Sequence, residues 1–374
     1  MSLSSASPAE LIRRLAHSPA LYDQCMIHYP KSRPITVTCL PLRNSSSGSL
    51  DVVPSEILRM IFVLLDFESL RTLRLVNFGI KDAVESLPAY RDMVKHGSIV
   101  LRALVETCLH SHYSAAELYD VLRSDRCVGC TDHGPFFLLP ACQRVCFNCL
   151  NNNREMRVIT AFAANICFGL SKRFLKKHSD RGLPAMLTLP GLYGIGLEEK
   201  RIRRWVVSVS KARALGLRLY GSQLKMESSV QAAYSKKRTA FHQREAAWLS
   251  RRQSGPAGSR PRKPPDSGRI LSDSNDQFHF QASSPFPFLD VREGKVDHGL
   301  WCLGCQDQYV WHRIRTHDVD YSALKRNESK AYTEQEILRH FIDCPGSKRL
   351  WDQHCQRNNI KNDDAALSST TKYL

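Results

Sequence analysis

The 374-residue sequence predicts a mainly α fold. Three observations carry this expectation. Residues 51–95 hold a compact pattern of three short amphipathic helices, and apolar residues recur at helical spacing through 98–122, 154–174 and 200–249. Cys-x-x-Cys pairs lie where they can staple small helical units that bury little core of their own. The expected architecture is a three-helix unit followed by a helical domain held by one or two small structural metal sites.

In chain order, residues 1–50 are rich in Ser and Pro and read as a mostly flexible arm, with one candidate helix over 9–25. Pro54 suits a first helical position because it has no N–H to lose there. Ile57, Leu58, Ile61, Phe62, Leu64 and Leu65 follow at helical spacing, more apolar surface than one core face needs. Ser69 is placed to cap a second helix carrying Leu70, Leu73 and Val76, and a third is expected from about Gly79 to Leu87, before Pro88. Residues 98–252 then read as a helical domain, opening with two helices joined near 112–114. Residues 253–290 hold enough Pro, Ser and Gly to read as a linker. A Cys-rich module over 291–355 and a flexible tail over 356–374 complete the chain.

The order Pro54, Glu56, Ile57, Leu58, Ile61, Phe62, Leu65, Asp66, Leu70, Leu73, Val76 and Asn77 resembles an F-box, over 51–97. Val53 stands where that family most often has Leu, and Gly79 and Ile80 where a basic or aromatic residue is usual. The resemblance implies a three-helix hook for the small Skp adaptor, with Val53, Pro54, Ile57, Leu58, Ile61 and Leu65 as contacts.

Two constellations have metal-ligand spacing. Cys127-x-x-Cys130 and Cys146-x-x-Cys149 form a paired set in which each turn aims two sulfurs at one ion, with Gly129 helping the first turn close. Cys142 and His133 lie inside the loop as alternative ligands. The second set joins Cys302-x-x-Cys305 to His340 and Cys344. Thr333 to Glu336 reads as a capping box starting a helix, which puts His340 and Cys344 at i and i+4 on one face. His312, His317, His354 and Cys355 compete there. Both sets are fully protein-ligated, the pattern of structural rather than catalytic zinc.

The net charge of +17 is local. Residues 200–263 hold 17 Lys and Arg against two Glu, so that segment carries +15 of it. Its second half, 224–249, suits a long helix, and the first reading of such a run is a solvated basic face. Short basic runs at 236–238 and 260–264 also fit a nuclear-import signal. Gly191 to Gly196 has the order GxxGxG with no Lys-Ser or Lys-Thr after it, so a plain turn is expected rather than a phosphate loop. No apolar run reaches the 18 or so residues of a membrane span and no secretory leader is evident, so a cytoplasmic or nuclear location is expected. Neither a repeat array nor an enzyme signature is present, and the chain is expected not to be an enzyme.

Tyr90-Arg91, Leu118-Tyr119, the run from Cys142 to Leu150 and the late CxxC with His-x3-Cys look like F-box proteins of filamentous fungi, closely over 51–160 and loosely over 300–352. The resemblance implies a substrate-receptor subunit of an SCF-type cullin-RING ubiquitin ligase, bringing an unknown protein substrate to the complex through the Skp adaptor. A self-contained RING fails on ligand count, since the next CxxC lies more than 150 residues beyond the first set. A zinc-finger nucleic-acid-binding regulator is the alternative, less favoured because only Arg154 and Arg157 follow the first cluster closely. An F-box scaffold acting without ubiquitin transfer is the other.

Overall fold

The computed structural model describes residues 6–17, 20–28, 48–178, 183–254, 258–272, 277–315 and 321–370. Its architecture corrects the mainly α expectation. Among the described residues, helices alternate with five small antiparallel sheets, three of three strands and two of two, so the fold is mixed. The strands are two to four residues long, too short for a period-2 pattern to register in the sequence. They form through distant pairing instead: Phe136–Leu138 lies between Gln143–Val145 and Ser283–Pro285, with Phe137 opposite both Arg144 and Ser284.

The three-helix unit comprises Ser55–Phe62, Phe67–Leu73 and Phe78–Glu85. Pro54 sits one residue before its first helix. The second helix is capped by Asp66 rather than Ser69, the carboxylate accepting from the backbone N–H of Glu68 and Ser69 at 3.0 Å each. Asn77 caps the third through Ile80 N–H at 2.8 Å. Phe62, Leu70, Ile80 and Val84 form a small core with Leu87 and Tyr90 from the next segment. Arg74 ties it together by pairing with Glu85 and donating to the Tyr90 hydroxyl at 3.1 Å. The unit is joined to helix Ala115–Leu122, whose first two N–H groups donate to Leu65 O and Val63 O at 2.8 Å.

The largest core gathers residues from most of the chain. Phe136, Phe137, Phe147, Phe286 and Trp301 meet Tyr22, Met26 and Ile27, so part of the segment read as an arm is packed. The helix expected over 9–25 is two, Pro8–Leu15 and Ala20–Gln24, separated by the short strand Ala16–His17. Residues 277–290, inside the stretch read as a linker, add Phe280, Ala282, Phe286 and Leu289 to that core. A second core surrounds strand Val158–Thr160 and helices Ala161–Phe168 and Val209–Tyr220. The 191–196 glycines belong to the hairpin Gly191–Tyr193/Glu198–Lys200. No described helix is long and apolar enough to cross a membrane.

Candidate metal centres

The first set converges. The Sγ atoms of Cys127, Cys130, Cys146 and Cys149 all lie within 4.8 Å of one another, with Cys130 and Cys146 at 3.5 Å. A tetrahedral ion with metal–sulfur bonds of about 2.3 Å requires sulfurs about 3.8 Å apart, so the cluster has the right size. Local structure explains the convergence. The turn over 127–130 closes through Thr131 N–H to Cys127 O at 3.0 Å, and Gly129 N–H points at Cys127 Sγ at 3.3 Å. A side chain on Gly129 would put its Cβ 2.9 Å from Cys149 Sγ, so only glycine lets the two pairs approach. Cys146 is the N-cap of helix Phe147–Asn152 and accepts from Cys149 N–H at 3.4 Å. N–H groups aimed at both leading sulfurs stabilise thiolate charge and orient the lone pairs that bind metal.

The second set repeats this plan. Cys302 ends strand Leu300–Cys302 and accepts from Cys305 N–H at 3.4 Å in the first turn of helix Leu303–Arg315. Helix Glu334–Asp343 opens with the Thr333–Glu336 capping box and carries His340 near its end, with Cys344 as its C-cap. Cys344 Sγ lies 3.8 Å from both Cys302 Sγ and Cys305 Sγ, and His340 Nε2 lies 3.2 Å from Cys305 Sγ. All four donors fall within 4.8 Å of one another. Strand Ala16–His17 pairs with Leu300–Cys302, placing Ala16 opposite Cys302, and helix Pro8–Leu15 buries Leu11 and Leu15 beside the site.

The electrostatics of each cluster follow from crowding. Hydrogen bonds from Cys146 and Cys149 hold the Cys127 thiol far below its ordinary range, while Cys146 and Cys149 are pushed up by the same contacts. In the second cluster Cys344 is lowered by Cys302 and Cys305, and Cys305 is raised. Burial opposes the charge on His340, but its hydrogen bonds with Cys302 and Cys344 prevail and lift it to about 9. Sulfurs buried this close together repel one another when more than one is anionic. A divalent cation removes that conflict by favouring the anionic sulfurs together. Both donor sets therefore fit a bound metal ion, and each can complete a tetrahedron without an outside ligand.

The alternative ligands fall elsewhere. Cys142 sits in a left-handed conformation at φ 55° outside the cluster, its thiol raised to about 12 by burial. His133 is buried, and burial lowers it to about 4, favouring neutral imidazole. His312, His354 and Cys355 do not join the second set, and His317 lies outside the described residues. Sequence reasoning missed Ser347, whose Oγ lies 3.1 Å from Cys302 Sγ, and Tyr332, stacked on the His340 ring at 4.6 Å between centroids. The tyrosine immediately before the capping box was the available signal. Ser347 lies three residues after Cys344, in the first turn of helix Pro345–Thr370, the same spacing as the cysteine pairs.

The adaptor contacts inferred from the resemblance divide into two groups. Pro54, Ile57 and Ile61 are exposed, whereas Val53, Leu58 and Leu65 are half-buried, Leu58 and Leu65 packing on the unit's own core. Exposed beside the first group are Val52, Met60 and Leu64, with Leu75, Val76 and Phe78 after the second helix.

Fold and sites together define a mixed helix and small-sheet protein with two four-ligand cysteine-rich centres. Comparison with protein-family models, curated proteins and solved structures returns no match.

Proposed function

We propose that this protein is a substrate receptor of an SCF-type cullin-RING ubiquitin ligase, with its three-helix unit, read as an F-box, docking on the Skp adaptor. The observation that carries this reading is where apolar surface lies uncovered. Eight of the 22 exposed large apolar side chains among the described residues fall within 52–78, including Val52 at 87%, Leu64 at 70% and Leu75 at 82%. Ile57 and Ile61 share one face of helix Ser55–Phe62 at i and i+4, and Leu64 follows, exposed, in the turn after it. The opposite side of the same unit is satisfied by its own core. Exposed apolar surface so concentrated marks an interaction site, and an apolar helical stripe fits a groove between partner helices.

On this reading both clusters hold structural zinc, the ion suited to closed tetrahedral sites of thiolate and imidazole. The zinc ions fix the body from which the hook projects. The chain contributes no catalytic group. It raises the local concentration of a bound substrate's lysine near the ubiquitin-charged enzyme, and transfer accelerates through proximity.

Calorimetric titration with purified Skp adaptor tests the contact. The intact chain is expected to bind, and Ile57→Asp/Ile61→Asp/Leu64→Asp to bind at least about 100-fold more weakly, since each buried aliphatic side chain contributes about 1.5–3 kcal/mol. These exposed positions leave the helical fold intact. Equal affinity of the variant, or no binding by the intact chain, removes the proposal. Reconstituted polyubiquitination of a captured protein separates a ligase receptor from a scaffold.

A further inference from the structure

The structure assigns a second surface to helix Gln223–Ser254: we propose that it binds nucleic acid by seating in a duplex groove, contacting phosphates on both walls. This inference stands apart from the adaptor contact and uses none of its residues. At 32 residues the helix is about 48 Å long. Only Met226 and Phe241 along it are buried, so almost its whole length is open to solvent. Lys236, Lys237, Arg238, Arg244, Arg251 and Arg252 are all exposed. Among the described residues none of these six forms an ion pair with a carboxylate, while Glu245 is taken by Arg260 at 2.6 Å.

Two features select the occupant. At 100° per residue the six cations span about 200° of the helix circumference, wider than a flat acidic surface can engage at once. The duplex major groove, about 12 Å wide with phosphates along both rims, accommodates a helix charged in this way. Exposed apolar contacts of the kind lipid or a protein groove demands are lacking. The exposed large apolar residues on this helix are Leu224 and Leu249, some 25 positions apart, whereas Phe241 is covered and Tyr234 and Trp248 are half-covered.

The following segment adds to the same surface. Trp248 Nε1 donates to Gly258 O at 2.6 Å and Arg260 pairs with Glu245, so residues 258–263 return along the helix. Arg262 and Lys263 follow directly on this returning segment and are exposed. Local charge of one sign at this density attracts phosphate by releasing condensed counterions.

The test is fluorescence anisotropy with the full chain and labelled 20-base-pair DNA and RNA duplexes at 50 and 200 mM KCl. Binding is expected at the lower salt, with affinity falling about 10³-fold at the higher as some six phosphate contacts are screened. Replacing the six cations by Gln, a good helix former, should weaken binding at least about 100-fold while circular dichroism is unchanged. If that variant fails to fold, Arg262→Gln/Lys263→Gln should still weaken binding and flatten the salt slope by about two. Tighter binding to the DNA duplex is expected, because the A-form RNA major groove is too narrow to admit the helix, and preference for the RNA duplex contradicts the groove seating. No binding by the intact chain, unchanged binding by either folded variant, or tighter binding to polyglutamate or phosphatidylserine vesicles overturns the proposal.

Discussion

Arg144 is among the largest fully buried side chains and donates hydrogen bonds only to backbone carbonyls. Its guanidinium reaches Val121 O, Leu122 O, Gly134 O, Phe286 O and Pro287 O at 2.6–3.5 Å, joining the end of one helix to two loops distant in sequence. Burial lowers it to about 9, still cationic at neutral pH. Because Arg144 pairs through Phe137 with the central strand and its backbone O accepts from Val128 N–H, it also supports the first metal turn. Arg144→Met keeps the bulk and removes every donor, so stability should fall by about 3 kcal/mol or more in urea unfolding. A loss under about 1 kcal/mol would show that water satisfies these carbonyls. The cysteine ligands were legible because each pair is a local turn and His340 and Cys344 are one helical turn apart. Arg144 was not, since its five acceptors come together only in the folded chain.

Among the elements, apolar periodicity was the readable signal, and it located the three helices of the 55–85 unit and the pair Ser98–Glu106 and Ala115–Leu122. It failed where strands are short and pair across the chain. Residues 154–174, expected as one helix, form a 3-10 turn, a strand and then helix Ala161–Phe168. Trp205–Ser208 likewise takes the strand beside it before helix Val209–Tyr220 begins. The second metal centre depends on another contact between elements. Gly304, inside the Cys302–Cys305 turn, meets Gly346 and Ser347 at the start of helix Pro345–Thr370, backbone against backbone. A Cβ on Gly304 would come within 2.6 Å of Gly346 C. Gly304→Ala should therefore pry the turn from Cys344 and lower the metal content measured by plasma emission from two ions per chain to one. Retention of two would mean the turn tolerates displacement.

At the scale of the whole molecule, both metal centres and the N-terminal segment share one framework. Tyr22 packs on Phe147, next to Cys146, and on Trp301, next to Cys302, with centroids 4.4 and 5.5 Å apart. Arg126–Glu336 at 2.6 Å and Lys330–Asp132 at 2.7 Å add polar links between the two regions. The charge excess was readable in the sequence, but that its helix stands almost bare required the fold. The central claim is an apolar three-helix hook carried on a body held by two metal ions. Native mass spectrometry of the chain mixed with Skp adaptor tests it most directly. The account predicts a 1:1 complex whose mass includes two zinc ions, and for Ile57→Asp/Ile61→Asp/Leu64→Asp a free chain that retains both. An intact chain that carries no zinc, or that binds zinc and leaves the adaptor free, would contradict it.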